Sequence, residues 1–279
     1  MTARRLNALN GITSRLAAPL LLAAASTGVP AAQTPVALTP DSFTQDMVVE
    51  AGAANDTATH YSAAVSATMD GGAAKAGATF FEKGLLAGSA AGLPAGGFFT
   101  SRQDPSITFQ LQPYTQNNAV LLNAANPSAT LTLAQPGTYR TLFFLTASSD
   151  GVMTSASGGP FTTTLNYADG SHLQLAPFRS SDWFGSPRFA VGTGGDVAPL
   201  TGVVQTFADN FPGLYENGVA VPPVMPISSV TVQFEPQPAN TNAAVFAVSG
   251  DLVSQTPEPS SSTFFAASVG VLLRRRRRQ

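Results

Sequence analysis

The segment FTTTLNYADGSHLQL, running from Phe161 to Leu175, constrains the fold more than any other. Phe161, Thr163, Leu165 and Tyr167 alternate with their neighbours up to Asp169-Gly170, and Leu173 and Leu175 alternate after it. A period of two in an extended chain sends alternate side chains to opposite faces, one buried and one wet. Asp-Gly is favoured where a tight hairpin needs positive φ at its centre. The segment therefore predicts a β-hairpin.

Similar signals recur about every ten residues, each fenced by turn chemistry. They are SITFQLQPY with Ile107, Phe109 and Leu111, NAVLL from Asn118 to Leu122, ATLTLAQ with Leu131 and Leu133, TYRTLFFLTASS, SSVTVQFE with Val230, Val232 and Phe234, and NAAVFAVSGDLV as one more central strand. Asp70-Gly71-Gly72, Asp150-Gly151 and Asn217-Gly218 read as turns, and the prolines of VAVPPVMP cannot sit in a central strand. The stretch LLAGSAAGLPAGGFF reads as a large exposed loop. No segment keeps a helical period. The expectation is an all-β chain, a single jelly-roll-like β-sandwich over residues 40–253.

Composition agrees. Charged residues make up 11% of the 279, and the 25 glycines and 21 prolines supply turns. The apolar share of 44% is enough for one continuous core, and the absence of cysteine excludes a disulfide framework, a thiolate metal site and a thiol nucleophile.

The formal charge of -2 hides an asymmetry. Arg4, Arg5 and Arg15 lie at the start and Arg274 to Arg278 at the end; only Lys75, Lys83, Arg102, Arg140, Arg179 and Arg188 lie between. All 16 acidic residues fall from Asp41 to Glu258. An acidic body without a basic stripe argues against nucleic acid as a partner.

The first 31 residues have the order of a secretory signal peptide: a basic leader, an apolar run from Leu16 to Ala25, then small residues, with Val29-Pro30-Ala31 placed for signal peptidase and Ala23-Ala24-Ala25 as the alternative. The run is too short to span a membrane as a helix.

Candidate chemistry is sparse. His60 and His172 fall in separate predicted strands, and nothing near them has metallohydrolase spacing, so no metal site or catalytic residue is expected. SSDWFGSP holds the single tryptophan: Asp182, Trp183 and Phe184 could form a glycan site, the indole stacking on a sugar ring and the carboxylate accepting its hydroxyls. The competing reading packs Trp183 and Phe184 into the core with Asp182 capping a turn, and exposure of the indole decides between them. Asp182, Glu82, Asp104, Asp169 and Glu216 are the carboxylates from which a glycosidase pair could be drawn. Turn-associated carboxylates would also suit a structural calcium ion bound through loop oxygens, although no loop has regular calcium-loop spacing.

The tail completes the reading. Pro257, Glu258 and Pro259, a polar spacer, a hydrophobic run from Phe264 to Leu273, and the block Arg274, Arg275, Arg276, Arg277 and Arg278 resemble the PEP-CTERM sorting signal of Gram-negative bacteria that make extracellular polysaccharide. The same tail is also catalogued as an ice-binding-protein C-terminal domain. The resemblance covers residues 256–279 and implies an exosortase-like membrane peptidase as a partner, with the motif as its recognition element. Residues Thr263 to Leu273, at ~1.5 Å each, would cross only about half of the ~30 Å hydrocarbon core, and the basic block fits a cytoplasmic end. Separately, NYADGSHLQLAPFRSSDWFG is similar to a segment of bacterial galactose-binding-like sandwiches, which implies a jelly roll and favours glycan binding. The expected protein is exported to the cell surface, outer envelope or extracellular matrix, with transient inner-membrane association through its tail. It is non-enzymatic and associated with extracellular polysaccharide; the alternative is a secreted glycan-acting hydrolase using a carboxylate pair.

Overall fold

The computed structural model describes residues 32–53, 60–70, 77–149, 160–184, 188–207, 211–235 and 241–253. The leader, the PEP motif and the arginine block lie outside them, as do the turns expected at Gly71-Gly72 and Asp150-Gly151. In chain order the strands are β1 (Thr34–Pro35), β2 (Val48–Val49), β3 (Phe80–Phe81), β4 (Phe98–Thr100), β5 (Thr108–Gln110), β6 (Val120–Leu122), β7 (Ser128–Gly137), β8 (Tyr139–Ser149) and β9 (Pro160–Tyr167). They continue with β10 (His172–Gln174), β11 (Phe178–Arg179), β12 (Val191–Gly192), β13 (Gly195–Ala198), β14 (Val203–Thr206), β15 (Gly213–Ala220), β16 (Ile227–Phe234) and β17 (Asn242–Leu252). Among the described residues the helical structure is one short 3-10 turn, Pro40–Ser42.

The hairpin forms as the alternation predicts. Antiparallel β9 and β10 pair His172 with Asn166, Leu173 with Leu165 and Gln174 with Thr164. Only Gly170 supplies positive φ, at 86°. Its N–H donates to the Tyr167 carbonyl at 3.1 Å, and the Tyr167 N–H donates to the Ser171 carbonyl at 2.9 Å, a type I turn closed by a left-handed glycine. Asp169 instead accepts from the Ser171 N–H and hydroxyl at 2.9 and 2.7 Å.

Two antiparallel sheets make the sandwich. One runs β1-β17-β8-β15-β12 with β6 also on β17; the other runs β10-β9-β16-β7 with β11 also on β9. Their inward residues interleave in a first core that includes Leu131, Leu142, Phe144, Phe161, Leu165, Val230, Val232, Phe234 and Val245. Phe178 stacks on Phe144 and Phe161 with ring centroids 5.4 and 5.1 Å apart, adding aromatic contacts to area burial.

The six-stranded sheet is buried on both faces over most of β8 and β17. Its other side packs under a third layer drawn mainly from residues 43–121, with Met47, Phe80, Leu93, Phe109, Trp183, Leu145, Ala244 and Phe246 in a second core. This explains why β17 reads as an unbroken apolar run: with no wet face, nothing selects alternation. Between Val245 and Ala247 the register with β8 shifts by one residue. The bulge lets Phe246 and Ala247 both enter the second core and returns Val248 to the first, where an unbroken strand would have sent the rest of β17 to the wrong side.

Three local expectations are corrected. Asn217-Gly218 is not a turn but lies inside β15, paired with Phe144 and Phe143 of β8; glycine is needed there because a Cβ would sit 2.9 Å from the Phe143 ring. His60 is not in a strand: it sits in a turn with φ of 48°. The Leu85 to Phe99 stretch is exposed over much of its length but is pinned by Leu93, which is fully buried in the second core, and it ends in β4. Sheet pairing begins ahead of Pro40, with β1 on β17 through Thr34 opposite Gly250 and Pro35 opposite Ser249.

Candidate functional site

The five-stranded sheet turns its second face outward. On it β9 carries Thr162, Thr164 and Asn166; β16 carries Ser229, Thr231 and Gln233; β7 carries Ser128, Thr130 and Thr132; and β10 carries His172 and Gln174. Antiparallel register sorts these into rows across the strands. One row is Thr132, Ser229, Asn166 and His172; the next is Thr130, Thr231, Thr164 and Gln174; the third is Ser128, Gln233 and Thr162. None of these positions is Asp, Glu, Lys or Arg. At ~4.8 Å between strands and ~6.8 Å between successive outward residues, the grid covers about 14 Å by 14 Å.

Hydrogen bonds hold the grid in place. Asn166 Nδ2 donates to Ser229 Oγ at 3.0 Å and to Thr231 Oγ1 at 3.1 Å, and the Thr130 and Thr231 hydroxyls are 3.0 Å apart. Hydroxyl and amide groups each donate and accept, so this surface can exchange hydrogen bonds with a ligand rich in hydroxyls. Charge borders it: Arg179 sits at one corner opposite Pro160, Asp169 lies in the hairpin turn, and Glu235 follows the end of β16.

The sequence candidates lie elsewhere. Trp183 is 2% exposed. Its ring packs edge-on against Phe80 and Phe184 at 5.2 and 4.6 Å, and Nε1 donates to Asp70 Oδ1 at 3.2 Å. The indole thus lies in the second core, with no face open for a sugar. Asp182 Oδ1 accepts from the Phe184 N–H at 3.0 Å, the turn-capping role, and Phe184 is partly buried.

The other carboxylates divide into two groups. Asp169 holds the hairpin turn, and Glu82 clamps loops by accepting from the Ala51 and Gly96 N–H groups at 2.9 and 3.3 Å. Glu216 and Asp104, in contrast, come close enough to interact. Glu216 lies on β15 opposite Leu145, facing the third layer, with Oε2 buried and unpartnered. Burial pushes its carboxyl above the usual glutamate range; a hydrogen bond from Ser101 opposes the shift and the Asp104 charge adds to it. Asp104 is held below the usual aspartate range by hydrogen bonds from the Ser106 hydroxyl and N–H. Arg102, next to them, lies 4.8 Å over the Phe189 ring. Ser101, Arg102 and Phe189 carry no motif that would single them out in the sequence. Among the described residues no three His, Cys, Asp or Glu side chains group as a metal centre, and no helix is long and apolar enough to cross a membrane.

No family model matches the chain, and no curated protein matches it. Among solved structures, a family 29 carbohydrate-binding module complexed with cellulohexaose aligns over 47% of this chain and 68% of its own at 9% identity, with a TM-score of 0.27. A family 29 module complexed with mannohexaose aligns over 58% and 84% at 12% identity, with a TM-score of 0.28. The catalytic domain of a GH87 alpha-1,3-glucanase in complex with tetrasaccharides aligns over 51% of this chain and 23% of its own at 16% identity, again at 0.28. At these scores neither likeness says what this chain does.

Proposed function

We propose that this is an exported β-sandwich protein, sorted to the cell surface or matrix through its C-terminal signal, that binds polysaccharide there without transforming it. The observation that carries the binding role is the outward face of the five-stranded sheet. A solvated sheet face ordinarily mixes Lys, Glu, Arg and Asp with its hydroxyls, whereas this one is hydroxyl and amide apart from His172 at its β10 edge. Sorting rests on the order of PEP motif, hydrophobic run and arginine block. Its partners would be signal peptidase and an exosortase-like membrane peptidase.

The test has two arms. Affinity electrophoresis in gels containing polysaccharide should retard the protein, and Thr164→Lys with Thr231→Lys should restore free mobility; unretarded wild type on every polysaccharide sinks the binding role. In a host with an exosortase, the mature protein should lack the leader and Arg274 to Arg278. Secreted protein that retains Arg278 by intact mass sinks the sorting role.

Glu216 and Asp104 favour a second reading, the glycan hydrolase. Environments that push two carboxyls in opposite directions are how acid and base roles are divided in glycosidases. Release of reducing sugar by the wild type, abolished in Glu216→Gln and in Asp104→Asn, would establish it; no release by the wild type removes it.

A further inference from the structure

Resting on the polysaccharide reading above, we infer that the ligand of the five-stranded sheet is an uncharged polymer, held along an extended stretch of chain, and not a free sugar or an acidic polysaccharide. Three observations meet here. The first is charge. The grid of Thr, Ser, Asn and Gln, with His172 at the end of one row, holds no Lys or Arg, and the region from Asp41 to Glu258 sets 16 acidic residues against six basic ones. A uronate or sulfate chain would meet no counter-charge on the face and net repulsion on approach. Arg179, at the corner, is a single cation and is already engaged. A neutral chain pays no such cost.

The second observation is shape. Sites for small molecules are concave and enclose most of the ligand. Here the contacting side chains are mostly Ser, Thr and Asn, and they project from a regular three-strand register with pairs from Ser128 to Thr132, Gln233 to Ser229 and Thr162 to Asn166. An isolated sugar would bury one side only, while a polymer can place several units on the grid together and gain through linked contacts.

The third is the mode of contact. Among the described residues the face has no Trp, Tyr or Phe ring, and Trp183 is in the core. Recognition must come from hydrogen bonds to hydroxyls, which suits a neutral chain presenting hydroxyls at regular intervals. Asn166, Thr231 and Thr130 are already ordered by mutual hydrogen bonds, which lowers the cost of ordering them against the ligand.

The experiment compares retention of the full chain on neutral polymers (cellulose, β-1,3-glucan, mannan), on acidic ones (alginate, hyaluronan), and against free trisaccharides in solution. Each measurement is repeated on a chain with Arg274 to Arg278 changed to Gln, so that binding by the basic block is subtracted. The expected result is at least ~10-fold tighter retention on one neutral polymer than on either acidic one, with free trisaccharide failing to compete at equal sugar concentration. Thr231→Lys and Thr231→Glu should both weaken neutral retention ~10-fold, because either raises a long charged group in the middle of the grid; Thr130→Lys, on the edge strand, provides a second position. Folding of each variant is checked by thermal unfolding. Acidic-polymer binding that survives loss of the arginine block, or opposite effects of Thr231→Lys and Thr231→Glu, overturns the inference while leaving glycan binding in place. Competition by trisaccharide at parity does the same. Retention on no glycan overturns both.

Discussion

The hydroxyl oxygens of Thr130 and Thr231 lie 3.0 Å apart across β7 and β16. Thr231 also accepts from Asn166 Nδ2, so it links three strands on the outward face. Thr231→Val keeps the β-branched shape that suits a strand and removes the shared oxygen. Water can replace the lost partners on this half-exposed surface, so the stability cost should stay within ~0.5 kcal/mol by urea unfolding, while polysaccharide retention falls several-fold. A large loss of stability with retention intact would make the ladder a structural device only.

Thr163, next to the Thr164 that pairs with Thr231, presents the opposite case. It is fully buried on the core face of β9, and its Oγ1 has no hydrogen-bond partner. A buried hydroxyl without a partner costs about 1–3 kcal/mol of desolvation, which valine, of similar shape, does not incur. Thr163→Val should therefore raise stability by about 1 kcal/mol, seen as a higher urea midpoint with an unchanged slope. A lower midpoint would show that the hydroxyl is satisfied.

These two threonines show how far the sequence could be read. Alternation in FTTTLNYADGSHLQL and SSVTVQFE placed β9, β10 and β16 and assigned the inward residues of β9 and β16, because a sheet with one wet face imposes period two; on the outermost strand β10 it failed for Leu173, which is exposed. The second core was harder to see where β17 supplies it: that strand meets almost no water on either side, so its residues carry hydrophobicity without phase. The polar grid was written in three separate segments as uncharged outward residues, but only register brings Thr130, Thr231 and Thr164 into one row. Trp183 could be placed either way, since a core indole and a surface indole look alike in sequence. Asn217-Gly218 misled because its turn chemistry is real; there the glycine serves the Phe143 ring instead.

Trp183, as the single tryptophan, reports its own position. Buried among Phe80, Phe184 and Phe246, it should fluoresce at short wavelength, resist quenching by acrylamide and shift to the red on unfolding. Trp183→Phe removes the hydrogen bond to Asp70 and part of the packing, and should cost about 1–3 kcal/mol with polysaccharide retention unchanged. Emission typical of an exposed indole, or loss of retention in a folded Trp183→Phe protein, would return the glycan site to this residue.

Glu216 should give the fold a distinctive acid response. Its carboxyl is raised by burial in the native state, so the folded protein holds that proton more firmly than the unfolded chain does. Its contribution to stability is fully present below the ordinary glutamate range and is lost as pH rises through the raised value. Asp104 runs the other way: its lowered carboxyl contributes above the ordinary aspartate range and that contribution is lost as pH falls through the lowered value. The two windows separate, with Glu216 acting on the neutral side and Asp104 on the acid side. Urea midpoints taken from about pH 7 to about pH 5 should rise relative to those of Glu216→Gln, which cannot take up the proton. In Asp104→Asn the rise should begin at lower pH, because the charge that helps to raise Glu216 is gone. Parallel pH profiles for wild type and Glu216→Gln would mean that the carboxyl is solvated and that the orphaned Oε2 finds a partner in solution.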